Sequence, residues 1–566
     1  MFKKGSKPWS LLYLCFLDKN EDEDLSFPAL TRFNKIAPTP KWSLRFFCVM
    51  KNLKVVFTLS ASFLFLVGSA QLKTDWFNLD YKSAQGGGAE VESALTLMGD
   101  RKLEPVVVAV IDDGVDIDHP DLKGQIWVNE DEIPGNGKDD DGNGYIDDIN
   151  GWNFLGNPEG ENIKYETLEL TRLYRQYAKK YDEVDEASLD KKEKEEYRKF
   201  KEYEEAFNER LSEIKEQFSE YAQLSAMYKG AQSFLLERVD ADSVSIEVVK
   251  SFEPENDDES QVKNFLMLAL TQGLDSYIAE GEDYFSRYLD YNLNVDFDPR
   301  EIVNEDEMPR GYGNPMVYAE DPAHGTHVAG IIAAVRDNDK GMNGIAPNAR
   351  IMPIRAVPGG DERDKDVALA IRYAADNGAR IINMSFGKGY SPEAELVFDA
   401  IEYAEDKGVL MIHAAGNDGE DNDTVINYPD GTLGKKKSTK NWITVAAASV
   451  EEDSTFFASF SNYGKKSVDI IAPGVDILSL SPGGGTKSQS GTSMAAPVVS
   501  GVAALIMGVN PELSAKKVKK ILLKTGNSPE KATVLLEGEP QPLKAIIRNP
   551  VLISAESAVE QVIKRM

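Results

Sequence analysis

The stretch Gly491-Thr492-Ser493-Met494-Ala495-Ala496-Pro497 lies near the C-terminal end of the 566-residue chain and decides how the rest is interpreted. Small residues flank Ser493, so a reacting group could approach its hydroxyl closely. The sequence from Met494 to Val509 is apolar almost all round, which predicts a buried helix. Ser493 would lie at the N-terminus of that helix, where backbone N–H groups favour negative charge. Taken alone, the stretch is more typical of an ordinary helix N-cap, so its role depends on partner residues elsewhere.

The composition is that of a globular protein, with 42% hydrophobic and 28% charged residues. The length allows roughly two to four domains. The formal net charge of −31 argues against nucleic acid as a partner, because phosphate binding requires clustered lysine and arginine. The chain has four histidines, His119, His324, His327 and His413, so candidates for a general base are few.

An apolar run near the N-terminus predicts export. The run Val55–Val67 follows a basic segment that begins at Met50, and small residues up to Ala70 form a cleavage site. Residues 50–70 therefore predict a secretory signal peptide, with a membrane anchor as the alternative. Met50 would be the true initiator and 1–49 an extension of the gene model. Cleavage would remove both cysteines and leave a mature chain without a disulfide or membrane span, in the periplasm or outside the cell.

A buried strand ends in two acidic residues. Val106 to Ile111 is a continuous, mostly β-branched apolar run, typical of a strand covered on both faces. Asp112 and Asp113 follow it, and functional groups of open α/β sheets collect at the carboxyl ends of strands. Asp112 could be a buried orienting acid, or it could only begin a turn before Gly114. Position alone leaves these two interpretations about even.

An acidic loop has the spacing of a calcium-binding loop. Oxygen-bearing side chains alternate around a sharp turn at Gly144, and one backbone carbonyl completes the pattern. The candidate ligands are Asp139, Asp141, Asn143, the carbonyl of Tyr145, Asp147 and Asp148. Asn150 stands where an EF-hand carries glutamate, so the loop is not an EF-hand, and Asp148 would close the site instead. A structural calcium ion is favoured over a solvated acidic turn, because so dense a carboxylate cluster repels itself without a cation.

A long segment rich in Glu, Lys and Tyr lies between about residues 165 and 291. Apolar residues from Tyr197 to Tyr228 recur at steps of three and four, which predicts a long amphipathic helix. We therefore expect an α-helical hairpin or small bundle inserted at 156–304. It could clamp partners, restrict access to a cleft, or only add bulk, and the last is the simplest interpretation.

Strands and helices alternate in the second half of the chain. Expected strands are 351–357, 380–385, 409–415, 442–447 and 468–471, and expected helices are 366–377 and 392–407. This alternation predicts an α/β fold with a mostly parallel sheet and helices on both faces. His324 and His327 lie one turn apart at the start of a further helix, but a third metal ligand is not suitably placed. Asn417 follows the end of an expected strand.

Four segments together resemble the subtilisin-like serine peptidases, or subtilases. They are Val-Ile-Asp112-Asp-Gly, His324-Gly-Thr-His-Val-Ala-Gly, Ala-Ala-Gly-Asn417 and Gly-Thr-Ser493-Met-Ala-Ala-Pro, in the family's order. The resemblance implies a secreted serine endopeptidase with a three-layer, subtilisin-like fold. It further implies that Ser493 is the nucleophile of an acyl-enzyme, His324 its base and Asp112 the carboxylate that orients the base. Asn417 and the Ser493 backbone N–H would form the oxyanion hole.

The same resemblance implies a surface that binds protein or peptide substrates. Ser385, Phe386 and Gly387 would pair with the substrate backbone as an added strand. These residues would wall a specificity pocket together with Ala414, Ala415 and Gly416. The residue at the floor of that pocket is not apparent from the sequence.

The resemblance also divides the chain into segments. An N-terminal segment at 71–104 precedes a catalytic domain formed by 105–155 and 305–530, and a C-terminal segment at 531–566 packs on that domain. Asp113 stands where the family more usually has a small hydroxyl residue. About 35 residues between the cleavage site and the first strand are too few for a folding pro-domain, so folding and zymogen control would differ from the family's usual scheme. A catalytically silent subtilase fold and a binding scaffold built on the helical insertion are the alternatives to an active enzyme.

Overall fold

A seven-stranded parallel sheet forms the centre of the protein. The computed structural model describes residues 75–81, 87–303, 312–433, 437–451, 453–530, 532–536 and 539–566, so the expected signal peptide and 1–49 lie outside the described residues. The strands are β1 Val106–Asp112, β2 Trp152–Asn153, β3 Ala349–Arg355, β4 Ile381–Met384, β5 Leu410–Ala414, β6 Thr432–Leu433, β7 Lys437–Ser438, β8 Trp442–Ala448, β9 Ile470–Pro473, β10 Ile477–Ser481, β11 Gly485–Gln489, β12 Thr533–Leu536 and β13 Glu539–Pro542. The order in the main sheet is β2-β3-β1-β4-β5-β8-β9, and each neighbouring pair is parallel.

Helices cover both faces of this sheet, and other helices form the insertion. The bounds of all these helices follow. They are α1 Val91–Met98, α2 Glu169–Tyr181, α3 Lys191–Leu236, α4 Ile246–Ser251, α5 Asp257–Thr271, α6 Leu274–Ser286, α7 Ala323–Ala333, α8 Asp364–Asp376, α9 Ala394–Asp406, α10 Thr492–Val509, α11 Ala515–Thr525, α12 Leu543–Ile546 and α13 Ala555–Ile563. The core on one face includes α1, α7, α10, α11 and α13, and the core on the other face includes α8 and α9. The predicted three-layer α/β fold with a mostly parallel sheet is confirmed.

Strand β1 illustrates why a continuous apolar run was needed. Val106, Val108 and Val110 point into the core with α10, whereas Ala109 and Ile111 point into the core with α8 and α9. Both faces are buried, so a strand with alternating polar residues would place unpaired polar groups in one of the two cores.

Strand β3 begins and ends two residues earlier than the predicted 351–357. The backbone N–H groups of Ala356 and Val357 both donate to the carbonyl of Asp112 at the end of β1. These two residues therefore turn across the edge of the sheet, and the strand ends at Arg355.

Helix α10 is the central helix of one core. It is nearly all buried and packs against β1, β4, β5, β8 and β9. Among the described residues it is the one helix long and apolar enough to span a membrane, but 94% of it is buried inside the protein. Its apolar surface is thus accounted for by the core of the fold.

The carboxyl edge of the sheet collects the ends of several strands. Strand β1 lies between β3 and β4, so β2 and β3 are on one side of it, and β4 and the later strands of the sheet are on the other. A crevice opens at the carboxyl edge of a sheet at such a switch point. Asp112 ends β1, Ser385 directly follows β4, and Ala414 ends β5. Three candidate site segments therefore meet at one edge.

Helices α2 to α6 have an apolar core of their own. Helix α3 is a single 46-residue helix whose N-terminus has a capping box formed by Asp190 and Glu193. Phe207, Ile214 and Tyr221 of the predicted apolar stripe are buried in this core, where Phe207 stacks on Tyr174 of α2 and Tyr221 packs against Phe285 of α6. A seam of aromatic and aliphatic residues thus holds the helices of the insertion together.

Candidate active site

Asp112 and His324 form a buried acid–imidazole pair. Asp112 is 1% exposed, and its Oδ1 lies 2.7 Å from Nδ1 of His324, the second residue of α7. A carboxylate only accepts hydrogen bonds, so Nδ1 carries the proton and Nε2 is left as the acceptor. The side chain of His324 is 35% exposed and is open to a reacting group. The pair can therefore receive a proton at Nε2.

Asp113 holds the helix that carries His324. Its two carboxylate oxygens accept the backbone N–H groups of His324, at 3.1 Å, and Gly325, at 2.7 Å. These are orphan donors of the first turn of α7, so Asp113 caps this helix from the end of β1. Gly325 allows the close approach, since a Cβ at this position would collide with the carbonyl of Gly114. Burial and the Asp112 charge raise the pKa of Asp113 to about 7.

The environment of His324 favours its charged form. Burial alone would lower the pKa of the ring, but the charge and hydrogen bond of Asp112, with the charge of Asp113, raise it to about 9. A carboxylate placed at Nδ1 therefore stabilises the imidazolium that forms when Nε2 accepts a proton.

The other three histidines bond to backbone carbonyls. Nε2 of His119 pairs with Gly485, and Nε2 of His413 lies 2.8 Å from the carbonyl of Phe386. His327 is buried, with Nε2 3.0 Å from the carbonyl of Lys487, and burial lowers the pKa of this ring to about 4. These rings stabilise the fold around the site, which leaves His324 as the candidate base.

Ser493 and Asn417 place two donors around one point. The amide oxygen of Asn417 accepts from the N–H and the hydroxyl of Thr492, at 2.9 and 3.0 Å, so its Nδ2 is directed away from them. A Cβ built on Gly491 would lie 3.5 Å from this Nδ2 and 3.6 Å from the backbone nitrogen of Ser493. An oxyanion near that point could accept from both groups. The Ser493 hydroxyl itself donates to the carbonyl of Ser385 at 3.0 Å.

The two segments expected to wall a specificity pocket face each other across Asn427. Its Nδ2 donates to the carbonyls of Ala415 and Ala414, at 3.1 and 3.4 Å. A Cβ on Gly387 would collide with the Asn427 amide, and one on Gly416 would lie 3.3 Å from its Nδ2. The side chain of Asn427 thus lies between these two segments, a position that the sequence did not reveal.

The acidic loop brings together some of the expected metal ligands. Carboxylate oxygens of Asp139, Asp141 and Glu132 lie within 4.8 Å of one another. Glu132 was not predicted, because it precedes the motif by seven residues. It is 6% exposed, and its Oε2 has no hydrogen-bond partner among the described residues. Three carboxylates with one buried, unpaired oxygen fit the preference of calcium for oxygen ligands.

The side chains of the other residues expected as ligands contact protein groups. The carboxylate of Asp147 accepts from the backbone N–H groups of Asn136 and Gly137. Asp148 is fully buried and accepts from the Tyr373 hydroxyl at 2.6 Å. The amide of Asn143 donates to Asp141 and Asp148, both at 3.0 Å, and the ring of Tyr145 packs edge-on against Trp152, Phe154 and Tyr373.

The structure thus combines a parallel α/β sheet with an acid–imidazole pair and a serine at the N-terminus of a buried helix. The chain belongs to the subtilase family, since the model of the Peptidase S8 family, described as the subtilase family, matches residues 104–539. This match covers more than half of the chain.

Curated relatives match a shorter part of the chain. It is 43% identical over 209 residues to the cell wall-associated protease of Bacillus subtilis (strain 168), covering 37% of this chain and 22% of that protein. It is 40% identical over 230 residues to the thermophilic serine proteinase of Bacillus sp. (strain AK1), covering 40% of this chain and 50% of that protein. Subtilisin BL of Lederbergia lenta is 37% identical over 207 residues, covering 36% of this chain and 70% of that protein. The chain thus spans about a fifth of the length of the cell wall-associated protease and about half of the length of the thermophilic serine proteinase.

Proposed function

We propose that the chain is a serine endopeptidase that hydrolyses peptide bonds of proteins or peptides through an acyl-enzyme on Ser493. The observation that carries this proposal is the 2.7 Å contact between Asp112 and His324, at the same sheet edge as the two donors around Gly491. Membership of the subtilase family supports it.

In the proposed reaction, Ser493 Oγ attacks the carbonyl carbon of the scissile bond and its proton passes to Nε2 of His324. The carbonyl oxygen becomes an oxyanion that accepts from Asn417 Nδ2 and the Ser493 N–H. The C–N bond then breaks, and the imidazolium gives its proton to the leaving amine. Water, deprotonated by the same ring, then attacks the acyl carbonyl carbon, the ester C–O bond breaks, and the imidazolium returns its proton to Ser493 Oγ. Asp112 keeps the ring in one tautomer throughout.

The hydrogen bond that the Ser493 hydroxyl makes in the absence of substrate suggests how substrate binding starts this reaction. The hydroxyl donates to the carbonyl of Ser385, the first residue of the segment expected to pair with substrate. A substrate N–H would compete for this acceptor. Its binding would release the hydroxyl toward His324.

Incubation of the purified chain with a peptide library tests the proposed activity. Mass spectrometry of the products is expected to show cleavage at internal peptide bonds, and an ester substrate should release a burst of about one equivalent of its alcohol per active site as the acyl-enzyme forms. A folded protein that leaves every peptide intact would overturn the proposal.

We also propose that Glu132, Asp139 and Asp141 hold a structural calcium ion. The ion would offset two of the three negative charges and tie the acidic loop to residue 132. This proposal is independent of the chemistry at Ser493.

Removal of calcium is expected to lower the melting temperature of the wild type. Binding to the folded state alone contributes about 2.7 kcal/mol when free calcium is 100 times its Kd. Glu132→Gln and Asp139→Ala should abolish the response to a chelator in a thermal scan. Asp147→Asn is the matched control, because that carboxylate bonds to Asn136 and Gly137 instead. A chelator response that persists in Glu132→Gln, or is lost in Asp147→Asn, would contradict this assignment.

The pH dependence of kcat/KM is expected to reflect the raised pKa of His324. The base must be neutral, so activity should fall as the pH drops through a midpoint above 6.5, the ordinary value of histidine. Asp113→Asn removes one of the charges that raise this pKa while keeping an acceptor for the helix, so its midpoint should be lower. Profiles with a chromogenic peptide provide the measurement. Equal midpoints in the two proteins would show that Asp113 has no electrostatic effect on the base.

We propose that the enzyme is exported by the segment at 50–70, which lies outside the described residues. The basic start, apolar run and small residues of that segment support the proposal. N-terminal sequencing of the exported protein should find a chain that begins after Ala70, and a mature chain retaining residues before Met50 would refute it.

A further inference from the structure

The helical insertion is attached to the catalytic domain by a buried ionic root. Nζ of Lys388 lies 2.9 Å from Glu169 of α2 and 2.9 Å from Asp364 of α8. Arg172, one turn further along α2, donates to Glu169 at 2.6 Å and to the carbonyl of Asp361 at 3.1 Å. Both cations are almost fully buried, so the loss of a partner would leave an uncompensated charge in the interior. The start of the insertion is therefore held firmly.

The chain returns to the same root at the end of the insertion. Asn292, beyond α6, is 2% exposed, and its Nδ2 donates to the carbonyls of Glu166 and Gly359, at 2.8 and 2.7 Å. Its own carbonyl accepts from the hydroxyl of Thr171 in α2 at 2.8 Å. Helices α3 to α6 thus lie between two fixed points of the chain that are next to each other.

Helix α6 reaches the strand that leads to the proposed nucleophile. Oε1 of Glu280 lies 3.3 Å from Nζ of Lys487 in β11. The carbonyl of Lys487 lies 3.0 Å from Nε2 of His327, which is one turn after His324 in α7. Strand β11 ends four residues before Ser493. Glu280 therefore contacts a part of the catalytic domain that is joined to both the base and the nucleophile.

The same stretch of helix borders the opposite side of the site. Tyr288, just beyond α6, and Gly387 line one cleft of about 400 Å³. Gly387 belongs to the segment whose first residue accepts the Ser493 hydroxyl at 3.0 Å. Ser493 thus lies between the segment near Tyr288 and the strand that contacts Glu280. At 1.5 Å per residue, residues 280–288 span about 12 Å and form a bridge between these two rims of the site.

The two attachments of this bridge differ in strength. The side chains of Glu280 and Lys487 are 67% and 58% exposed, and such an ion pair contributes little because water and salt screen it. The root at Lys388 is buried, and its charges have no solvent to replace a lost partner. Any opening of the bridge would therefore occur at β11.

A bridge of this length distinguishes polypeptides by their shape. Neighbouring extended strands lie about 4.8 Å apart, so a single extended chain needs little room beneath a helix. A folded domain of 100 residues has a radius of gyration of about 13 Å, too large to pass beneath about 12 Å of helix. A closed bridge would thus admit an extended chain to Ser493 and exclude a folded surface.

We propose that the helical insertion bridges the substrate cleft and restricts the enzyme to extended or unfolded polypeptides. The Glu280–Lys487 pair keeps the bridge closed, and the buried root fixes its position. This inference rests on the proposed peptidase function and names the substrate class of that site.

Two substrates with one cleavage sequence test the bridge. One is a short peptide that the wild type cleaves, and the other carries the same sequence in an exposed loop of a small folded protein. Glu280→Lys places like charges at the contact with Lys487, so a larger fraction of the molecules should be open. We expect kcat/KM for the folded protein to rise about fivefold and kcat/KM for the peptide to stay unchanged.

Two further variants control for the change of charge. Adding Lys487→Glu to Glu280→Lys restores an ion pair and should return the folded protein to its wild-type rate. Glu282→Lys is the matched control on α6, because Glu282 pairs with Lys229 of α3, also at 3.3 Å and within the insertion. It should leave both rates unchanged. An equal rise with Glu282→Lys and Glu280→Lys would overturn the role of the contact with β11.

Thiol accessibility tests the bridge without peptidase activity. Ser493→Cys is combined with Cys15→Ser and Cys48→Ser, so that residue 493 carries the one thiol of the chain. N-ethylmaleimide should react equally fast with or without Glu280→Lys, whereas a maleimide on a short linker to a folded protein should react about fivefold faster with it. If the wild type cleaves no peptide while this difference persists, the bridge stands and the peptidase proposal fails. Equal rates of the bulky reagent in both proteins would overturn the bridge.

Discussion

Replacement of Ser493 by alanine is expected to lower kcat by about 10⁶-fold, as loss of the nucleophile does in a subtilisin. The reason is that the acyl-enzyme path needs an oxygen nucleophile at the N-terminus of α10, and a methyl group cannot accept an acyl group. Steady-state hydrolysis of a chromogenic peptide measures the effect. The melting temperature should change little, because among the described residues the hydroxyl makes one hydrogen bond, to the carbonyl of Ser385.

Ser490→Ala is the matched control for this variant. Ser490 lies three residues upstream, and its hydroxyl accepts from the N–H of Asp476 rather than contacting the site. It should keep kcat close to the wild-type value. A Ser493→Ala protein that retained more than a small fraction of the activity would show that another group is the nucleophile.

Replacement of Asn417 by alanine is expected to lower kcat by about 10²- to 10³-fold with little change in KM. The Thr492 bonds to the amide oxygen direct its Nδ2 away from Thr492, and in the proposed mechanism this group would stabilise charge that exists only in the transition state. The loss should therefore appear in kcat, measured with the same peptide. A change confined to KM would assign Asn417 to ground-state binding.

Gly491→Ala provides an independent test of the same oxyanion hole. The extended backbone at Gly491 accommodates alanine, and the added methyl would meet the two donors at 3.5 and 3.6 Å, an ordinary contact distance. The variant should fold and still lose a large part of kcat, because the methyl would occupy the place proposed for the oxyanion. The double variant with Asn417→Ala should lose little more than either alone, since both changes act on one group. Additive losses of kcat in the double variant would show that the methyl group at residue 491 does not act through the oxyanion hole.

The positions of the main site residues could be predicted because of where buried parallel strands end. Strands covered on both faces are continuous apolar runs, so the ends of β1 and β5 are visible in the sequence. Asp112 directly ends one run, and Asn417 follows the other by three residues. The apolar stripe of α3 was equally visible, since a long amphipathic helix repeats its pattern over many turns.

Other parts of the site depend on contacts between distant segments. Asp113 caps α7 from 211 residues away, and nothing in the sequence next to it indicates that role. Glu132 joins the acidic cluster from outside the loop motif, and Asn427 contacts Ala414 and Ala415 from a loop without a recognisable pattern. A lysine is usually exposed, yet Lys388 is buried against Glu169, 219 residues earlier in the chain. Only the folded chain brings such residues together.

Labelling with a fluorophosphonate tests the central proposal most directly. The reagent requires a serine activated by a base and an oxyanion hole, so it reports the assembled site without a chosen substrate. We expect one label per wild-type molecule, located on Ser493 by peptide mapping, and no label on Ser493→Ala. Labelling at a different residue, or no labelling of the folded wild type, would contradict the account and favour a catalytically silent fold.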